Sequence, residues 1–535
     1  MQCHRAYDTR ALTRTRWTLL ATILGSAIVF LDSTVVNVAL PRIGRELPVH
    51  LFGVLEGQTY VYNAYLLTLS TLLILAGAIN DFYGRRRMFA VGLVGFGAAS
   101  VLCGLAPNME FLIVARVLQG AAGAVLVPGS LALIRVNIPG PEQGRAFGLW
   151  AGASSGTTIL GPLLGGILVD TFSWRWAFLI NAPLVILALW AVRNLPESRD
   201  EEASPKFDWL GAAIIFIGVG GLAIGAIYGQ QREWRDPVAF LLLGIGVLGM
   251  IALPLQMRRS AHPLIPLDLF KSRNFTITNI STLLIYGALY VTFYFLGLFQ
   301  QGTLGYTAAA AGLGGLPGSL LLTFLSSRAG ALSSRYGPRW FMAIGPLLMG
   351  LGILWFARVP AGSPSWKLYP GDAASFLPPA GYLFDFLPGS ILFGFGLAIL
   401  VAPLTAALMA SVPERNSGVG SAINNAISRI GPQLAGALIF VAITATFYAG
   451  LAARVPGLDP SSSSVRASVS PLNTPGAGVP PRVVEAARGA STDAFHIAML
   501  VSALLLFAGA AVNAAGIRTE PPPPEPARRE EAVNA

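Results

Sequence analysis

Long apolar segments dominate this 535-residue sequence. About 14 runs of roughly 20 mostly apolar residues follow one another, and each is long enough to cross a bilayer as a helix. They lie near 17–40, 55–79, 87–106, 111–134, 146–169, 175–194, 208–229, 236–256, 275–299, 309–328, 339–357, 382–410, 417–448 and 493–516. Because the runs do not alternate between polar and apolar residues, a membrane β-barrel is excluded. The sequence therefore predicts an all-α polytopic membrane protein with 14 transmembrane helices.

Composition excludes several other classes of protein. Only 12% of residues are charged, against about 25% in a soluble domain. The net charge of +10 comes from arginines in short loops between apolar runs, which fits membrane orientation better than nucleic-acid binding. Two cysteines and four scattered histidines show no metal-ligand spacing. No phosphate-binding loop occurs, so we expect neither an enzyme nor a cofactor.

Charge placement predicts the orientation of the chain in its membrane. An even number of spans puts both termini on one side. With both termini inside, roughly 23 basic residues fall in inner segments and roughly 11 in outer ones. We therefore expect cytoplasmic termini, with a cytoplasmic tail at 1–16 and a disordered tail at 517–535. We expect a long, flexible outer loop at 449–492.

Two short patterns occur twice in the same order. The segment 77–86 recurs as 330–339, and the segment 161–166 recurs as 431–436. Such repetition predicts duplicated halves that rock about a central site. The halves would be six-helix bundles at 17–200 and 261–516, with two inserted helices at 201–260.

Asp32 and Arg116 are charged residues inside apolar runs. Such placement is costly in lipid and indicates function by default. A proton can neutralise Asp32, whereas Arg116 keeps its charge. We predict that the two share the outer half of the first bundle and couple transport to protons. The alternatives are a permanent structural pair or helix cap for Asp32, and snorkelling to the outer interface for Arg116.

Two glycine-containing segments predict contacts between helices. Gly161, Pro162, Gly165 and Gly166 combine a helix bend with the absence of side chains, which favours a tight seam between the halves. Ordinary small-residue packing would give almost the same structure. The loop after the second span carries the second group, Gly77, Asp81, Gly84, Arg85 and Arg86. Its arginines also favour the cytoplasmic side.

Aromatic residues share one face of the ninth span. Tyr286, Tyr290 and Phe293 lie three or four residues apart, so this face either lines a greasy cavity or packs against lipid and neighbouring helices. The candidate substrate-cavity residues are Asn37, Tyr65, Gln119, Tyr290, Phe293 and Gln301.

Together, the segments 31–41, 77–87, 116–123 and 161–166 resemble the major facilitator superfamily, and in particular its fourteen-span drug:proton antiporters of the EmrB/QacA type. The weaker segment 300–306 is similar as well. The resemblance implies the major facilitator fold and proton-coupled efflux of hydrophobic or cationic small molecules by alternating access. It also implies that Arg116 belongs to the proton-coupling apparatus and that Gly161 to Gly166 form an antiporter motif.

The resemblance further implies that the 77–87 loop is an inner gate, which latches the outward-facing state. In that latch an acidic residue would lie near a helix N-terminus of the other half. This chain departs from the pattern at Phe82, where a basic residue is usual. A charge network centred on that position is therefore not expected.

The same sequence features are compatible with other functions. The same fold could export a specific metabolite, siderophore, antibiotic or lipid, or could serve as a sensor or scaffold without transport. The expected partners are membrane lipid, protons and a hydrophobic small molecule, with a monomer as the functional unit. The sequence leaves open whether a periplasmic adaptor joins it.

Overall fold

The computed structural model describes residues 2–138, 142–197, 208–231, 236–260, 263, 267–369, 371–412 and 417–518. Within these ranges some side chains lie outside the description, among them those of 2–13, 77–78 and 81–82. The described residues contain no strand. Their helices, in chain order, are α1 (Gln2–Glu46), α2 (Val54–Tyr83), α3 (Arg85–Gly104), α4 (Met109–Asn137), α5 (Glu142–Thr171), α6 (Trp176–Leu179), α7 (Asn181–Arg193), α8 (Trp209–Gln231), α9 (Pro237–Arg259), α10 (Arg273–Leu298), α11 (Ala308–Gly314), α12 (Leu316–Tyr336), α13 (Arg339–Phe356), α14 (Leu387–Ala410), α15 (Ser417–Arg454), α16 (Ser463–Ser468) and α17 (Pro481–Gly516).

Polar residues cap helices between the apolar runs. The side chain of Asn108 accepts a hydrogen bond from the Phe111 N–H at the start of α4. Asp236 does the same for Val238 at the start of α9, where proline occupies the first helical position. Such caps satisfy backbone donors that a helix end leaves unpaired. The apolar runs therefore become helices with defined beginnings.

Many of these helices have the length and composition of membrane spans. Among the described residues, eleven helical stretches are long and apolar enough to cross a bilayer. Three further long helices, α2, α5 and α8, lie where the sequence predicts the remaining spans. All three include side chains outside the description. The protein is thus a multi-pass helical membrane protein, and the count of 14 spans stays a prediction.

The two halves repeat one packing pattern. In the first half α1 packs on α5 and α7, α2 on α4, and α3 on α4 and α7. In the second half α10 packs on α15 and α17, α12 on α14, and α13 on α14 and α17. These are the same contacts in the same chain order, so the fold is two related bundles with two inserted helices.

The repeated loop shows the same relationship at the level of residues. Gly84 and Gly337 both have positive φ, 103° and 83°, a conformation that favours glycine. Beyond Gly84, Arg86 donates to the Arg193 carbonyl at 3.1 Å. Beyond Gly337, Arg339 donates to the Ala514 carbonyl at 2.8 Å. Each half therefore ties the start of its third helix to the end of its last.

The halves meet along two main seams. In one, α5 packs on α11 and α12, and in the other α2 packs on α15. The inserted α8 and α9 pack on each other, and α8 also contacts α2 and α15. Only 11% of the most apolar stretch of α9 is buried within the protein, so this helix presents most of its surface to lipid.

Helix ends differ from the predicted boundaries. α1 begins at Gln2 within the predicted tail, and helices shorten the predicted loop 449–492, because α15 continues to Arg454 and α17 begins at Pro481. The polar residues there were interpreted as loop because they end the apolar runs, yet they continue the helices beyond the lipid. Of the predicted tail at 517–535, residues 519–535 lie outside the described residues.

The remaining connection, 455–480, is anchored to the first half. Asn473 is 8% exposed and exchanges two hydrogen bonds with Gln58 at 2.9 and 3.1 Å. The adjacent Leu472 is fully buried. This connection is therefore packed against the bundle at that point.

Candidate functional site

The carboxylate of Asp32 is fully buried and surrounded by donors from two other helices. Its Oδ2 lies 2.5 Å from Nη1 of Arg116. Its Oδ1 accepts hydrogen bonds from Gln119 at 2.8 Å and from Asn181 at 3.2 Å. The structure thus brings together the two residues predicted to couple protons and joins α1 to α4 and α7 through them.

Arg116 points into the bundle. Its side chain is 1% exposed, and its Nε donates to the Val61 carbonyl at 3.1 Å. The guanidinium lies 4.1 Å from the ring centroid of Tyr65 and 5.7 Å from that of Phe178, within the range of cation–π attraction. These contacts are incompatible with snorkelling to the interface, the alternative considered for this residue.

Neutral polar residues complete the cluster around the ion pair. Gln119 accepts from Arg116 at 2.6 Å and donates to Ser100 at 2.8 Å. Asn181 lies 3.4 Å from Ser100, and the Cys103 thiol lies 3.5 Å from Gln119. Sequence reasoning identified Gln119 but not Ser100 or Asn181. Their only signal was a small polar side chain in an apolar run.

A second buried charge, Arg429, lies on α15. It is 8% exposed, and its Cζ lies 5.7 Å from the Tyr290 ring centroid. The other tyrosines within its electrostatic reach are Tyr62, Tyr65 and Tyr286. The sequence placed Arg429 inside a span, but no role was predicted for it. The signal was present, because it is the same one that identified Asp32: a charge in an apolar run.

Gln433 lies one helical turn beyond Arg429. It is 1% exposed, and neither its Nε2 nor its Oε1 has a hydrogen-bond partner among the described residues. Residues four apart share a helix face. Arg429 and Gln433 therefore form one buried polar patch on the helix that contacts α2 of the other half.

The first glycines of the 161–166 motif pack against α1. A Cβ on Gly161 would meet the side chain of Thr34, and a Cβ on Gly165 would lie 3.0 Å from the Val35 Cα. Thr34 and Val35 closely follow Asp32 in the chain. This part of the motif therefore packs within the first half, against residues two and three positions after Asp32.

The remaining members of the motif face the second half. A Cβ on Gly166 would lie 2.5 Å from the Ala309 Cα, and a Cβ on Gly312 would lie 2.5 Å from the Pro162 carbonyl oxygen. The backbones of α5 and α11 therefore touch without intervening side chains. Pro162 and Gly166 therefore lie at the seam between the halves.

The inner loop is held by a residue that sequence reasoning missed. The carboxylate of Glu197 accepts the backbone N–H groups of Arg86 and Arg87, both at 3.1 Å, where its charge also suits the start of α3. A Cβ on Gly84 would lie 2.7 Å from Glu197 Oε1. Arg85 follows Gly84 at the start of α3. The side chain of Asp81 and the surroundings of Gly77 lie outside the described residues.

The other candidate cavity residues lie in different places. Gln301 is in a π-helical turn, Phe299–Thr303, and lines a cavity of about 430 Å³ between the ends of α1, α5 and α10, together with Arg42, Asp170 and Tyr306. Phe293 is 40% exposed and packs edge-on against Phe393 of α14. Within the described residues, the structure joins neither to the Asp32 cluster.

Asn37 and Tyr290 complete the set of predicted cavity residues. Asn37 is half-buried, and its Oδ1 has no partner among the described residues. Tyr290 is half-buried against Arg429. The described residues include no group of His, Cys, Asp or Glu arranged to hold a metal ion.

Comparison with known proteins identifies relatives along most of the chain. The sequence profile of the Major Facilitator Superfamily matches residues 22–436. The puromycin resistance protein pur8 of Streptomyces alboniger is 34% identical over 82% of this chain and 83% of its own length. The multidrug resistance protein Stp of Mycobacterium tuberculosis is 31% identical over 88% of this chain and 84% of its own.

A solved structure shares the fold. The crystal structure of an auto-inhibited POT family peptide transporter superposes with a TM-score of 0.61. The alignment covers 94% of this chain and 96% of that one, at 15% sequence identity. At this identity the likeness concerns the arrangement of helices alone.

Proposed function

This chain belongs to the Major Facilitator Superfamily, and we propose that it exports hydrophobic small molecules in exchange for protons across the bacterial inner membrane. It is a membrane-embedded transporter and not an enzyme. The observation that carries the proposal is the buried ion pair of Asp32 and Arg116. The printed names of the two relatives, which concern puromycin and multidrug resistance, support efflux as the direction of transport.

Protonation of Asp32 is the first step of the proposed cycle. A proton on Oδ2 removes the negative charge and with it the 2.5 Å ion pair. Arg116 then keeps only neutral partners, the carbonyl oxygens of Val61 and Gln119 and the face of Tyr65. Removing one member of a buried pair costs about 3–5 kcal/mol. Protonation therefore favours a rearrangement of α1 relative to α4 and α7.

The seam carries this rearrangement to the other half. Thr34 and Val35 follow Asp32 on α1 and pack on Gly161 and Gly165 of α5. The same helix touches α11 through Gly166. Movement of α1 therefore displaces α5, and α5 displaces the second half. If cargo and proton favour opposite charge states of Asp32, linkage makes the binding of each weaken the binding of the other, as exchange requires.

The proposed orientation has cytoplasmic termini and a closed outer face. Contacts between the halves join the ends of helices on the side where α1 ends: Gln58 with Asn473, Thr59 with Tyr294 at 2.9 Å, and Asp170 with Ala309 at 2.8 Å. With the termini inside, these contacts close the periplasmic side. They support an inward-facing resting state that receives cargo from the cytoplasm.

The test is proton flux in proteoliposomes that contain the full chain. Addition of a transported compound should drive proton movement by the parent protein. Asp32→Asn should lower this flux about tenfold or more, because the asparagine cannot exchange a proton. Asp493→Asn is the matched control, since its carboxylate forms an exposed pair with Arg454, and such pairs contribute little. Full substrate-driven flux in Asp32→Asn would refute the coupling role.

A single-cargo exporter is the second candidate function. The relative named for puromycin resistance favours it, because that name refers to one antibiotic. A panel of chemically unrelated compounds distinguishes the two. Flux driven by several scaffolds supports a multidrug exporter, whereas flux driven by one scaffold supports the specific exporter.

A further inference from the structure

We propose that Arg429 and Gln433 bind the anionic group of an aromatic cargo, so that the transporter selects acidic aromatic molecules over neutral ones. This proposal rests on the exporter function argued above and names the class of its substrate. It differs from the expectation of cationic cargo, because a buried positive charge repels cations.

The positive charge of Arg429 has no described counter-ion. Its side chain is 8% exposed, and among the described residues it forms neither an ion pair nor a hydrogen bond. Its nearest described aromatic contact is the Tyr290 ring, 5.7 Å from Cζ. A guanidinium stays protonated in proteins, so Arg429 cannot avoid the free-energy cost of a buried charge by losing its proton. An anion placed beside Arg429 would offset this cost.

Arg116 has a counter-ion of the kind that the described residues do not supply to Arg429. Both arginines lie inside apolar helices and both lie near Tyr65. Arg116 has the carboxylate of Asp32 at 2.5 Å, whereas no carboxylate forms an ion pair with Arg429 among the described residues, and the ionisable side chains that act on it electrostatically are tyrosines. The protein thus supplies an acid for one arginine, and the cargo would supply it for the other.

Gln433 provides a second, independent indication of a ligand. Its amide is 99% buried, with 1% exposed, and both of its polar atoms lack partners among the described residues. Buried polar groups are nearly always hydrogen-bonded in folded proteins. Because Gln433 lies one turn from Arg429, its Nε2 can donate to the same carboxylate or phenolate that the guanidinium binds.

The tyrosines around Arg429 indicate the chemistry expected for the rest of the cargo. Tyr286 and Tyr290 of α10 lie 6.2 Å apart between ring centroids. The ring of Tyr62 of α2 lies 5.1 Å from that of Tyr294, tilted by 34°. Such rings favour planar aromatic bodies. They come from both halves, so a bound molecule would contact both. Tyr65 also covers Arg116 at 4.1 Å, which places the proposed anion site next to the proton site.

The experiment compares two probes that differ in charge. Pyrenebutyrate carries a carboxylate at neutral pH, and pyrenebutanol carries a hydroxyl on the same pyrene body. Equilibrium binding to the purified full chain in nanodiscs is measured by energy transfer from tryptophan to pyrene. The parent should bind pyrenebutyrate about tenfold or more tightly than pyrenebutanol, as expected for a hydrogen-bonded charge.

Variants test whether Arg429 and Gln433 cause the preference for pyrenebutyrate. Arg429→Gln should bring the two Kd values within about twofold, whereas Arg429→Lys should retain part of the difference, because an ammonium still attracts the carboxylate as a point charge. Gln433→Met, of similar size, should weaken pyrenebutyrate binding several-fold and leave pyrenebutanol unchanged. Arg454→Gln is the control for net charge, since Arg454 pairs with Asp493 at the helix end. It should bind as the parent does.

Three results would overturn the proposal. The first is equal affinity of the parent for both probes. The second is a ratio of the two Kd values that Arg429→Gln leaves unchanged, and the third is an equal loss of affinity for both probes in Gln433→Met. If Arg429→Gln does not elute as a folded protein, Arg429→Lys and Gln433→Met still decide. Binding is measured without a proton gradient, so the outcome does not depend on whether the protein couples transport to protons. If the parent prefers pyrenebutyrate but shows no substrate-driven proton flux, the proton-exchange mechanism is refuted and the anion site is not.

Discussion

The ring of Tyr65 lies against the guanidinium of Arg116, 4.1 Å from Cζ to the ring centroid. The Tyr65 hydroxyl donates to the Val29 carbonyl on α1 at 3.2 Å, one turn before Asp32. Tyr65 therefore holds α1 and Arg116 at once. It connects α2 to both members of the ion pair.

Substitutions at Tyr65 should separate these two contacts. Tyr65→Phe keeps the aromatic face and loses the hydroxyl, so it should retain most proton flux. Tyr65→Leu removes the cation–π contact, worth about 0.5–2 kcal/mol, and should lower flux about threefold or more at equal expression. Substrate-driven proton flux in proteoliposomes measures both. Equal flux in Phe and Leu variants would show that the ring does not act on Arg116.

A methyl group at Gly166 should block the seam between α5 and α11. Its Cβ would lie 2.5 Å from the Ala309 Cα and 2.7 Å from the Ala308 carbonyl oxygen. Because these are backbone atoms, they cannot move aside without separating the helices. Gly166→Ala should lower the free energy of unfolding by about 1–3 kcal/mol and slow transport.

The matched control for this change is Gly297→Ala on α10. A Cβ there has no neighbouring heavy atom within 4 Å, so both thermal stability and transport should stay near the parent values. Thermal unfolding of the purified variants and transport of one compound provide the comparison. Equal effects at the two positions would contradict a specific role for the seam.

Low pH should weaken the contact between Asp170 and α11. Asp170 lies just beyond the predicted span 146–169, and its carboxylate accepts the N–H groups of Ala308 at 3.3 Å and Ala309 at 2.8 Å. Burial raises the pKa of this carboxyl, and the two N–H groups and nearby arginines oppose that rise. The ionised form makes the contact, so it is lost as pH falls through a pKa above the ordinary value.

Labelling of a cysteine at Gln301 would measure this opening. Gln301 lines the same end cavity as Asp170, and Cys3 and Cys103 would first be replaced by serine. Maleimide labelling should accelerate as pH falls from about 8 to about 5, after correction for the reactivity of the free thiol. Asp170→Asn should label rapidly throughout, and Asp493→Asn should follow the parent. A pH-independent rate in the parent would contradict the prediction.

The sequence revealed the fold class because lipid imposes a strong length requirement on apolar runs. It revealed Asp32 and Arg116 because charges in such runs are rare. The same rule applied to Arg429, but without a recognised motif nothing indicated its surroundings. Ser100 and Asn181 were missed since small polar residues occur widely in membrane helices. Only tertiary packing places them beside Asp32.

Local backbone geometry explains why Gln301 was harder to place. The π-helical turn at Phe299–Thr303 changes the face on which each following residue lies, because π-helical hydrogen bonds span one more residue than α-helical ones. Periodicity read from the preceding α-helix therefore does not apply to Gln301. Helix ends were misplaced for a different reason, since α15 and α17 continue past the apolar runs that defined them.

If the termini are cytoplasmic, as proposed, the reciprocal amide pair of Gln58 and Asn473 can be reached through its connection from the periplasm. In the proposed orientation, the connection 455–480 reaches from one half across the outer face to the other. An antibody fragment that binds the exposed residues of this connection and holds it in place would arrest the protein with its outer side shut, and one that lifts the connection away would release it. Inhibition from outside the cell would then need no molecule small enough to enter the protein.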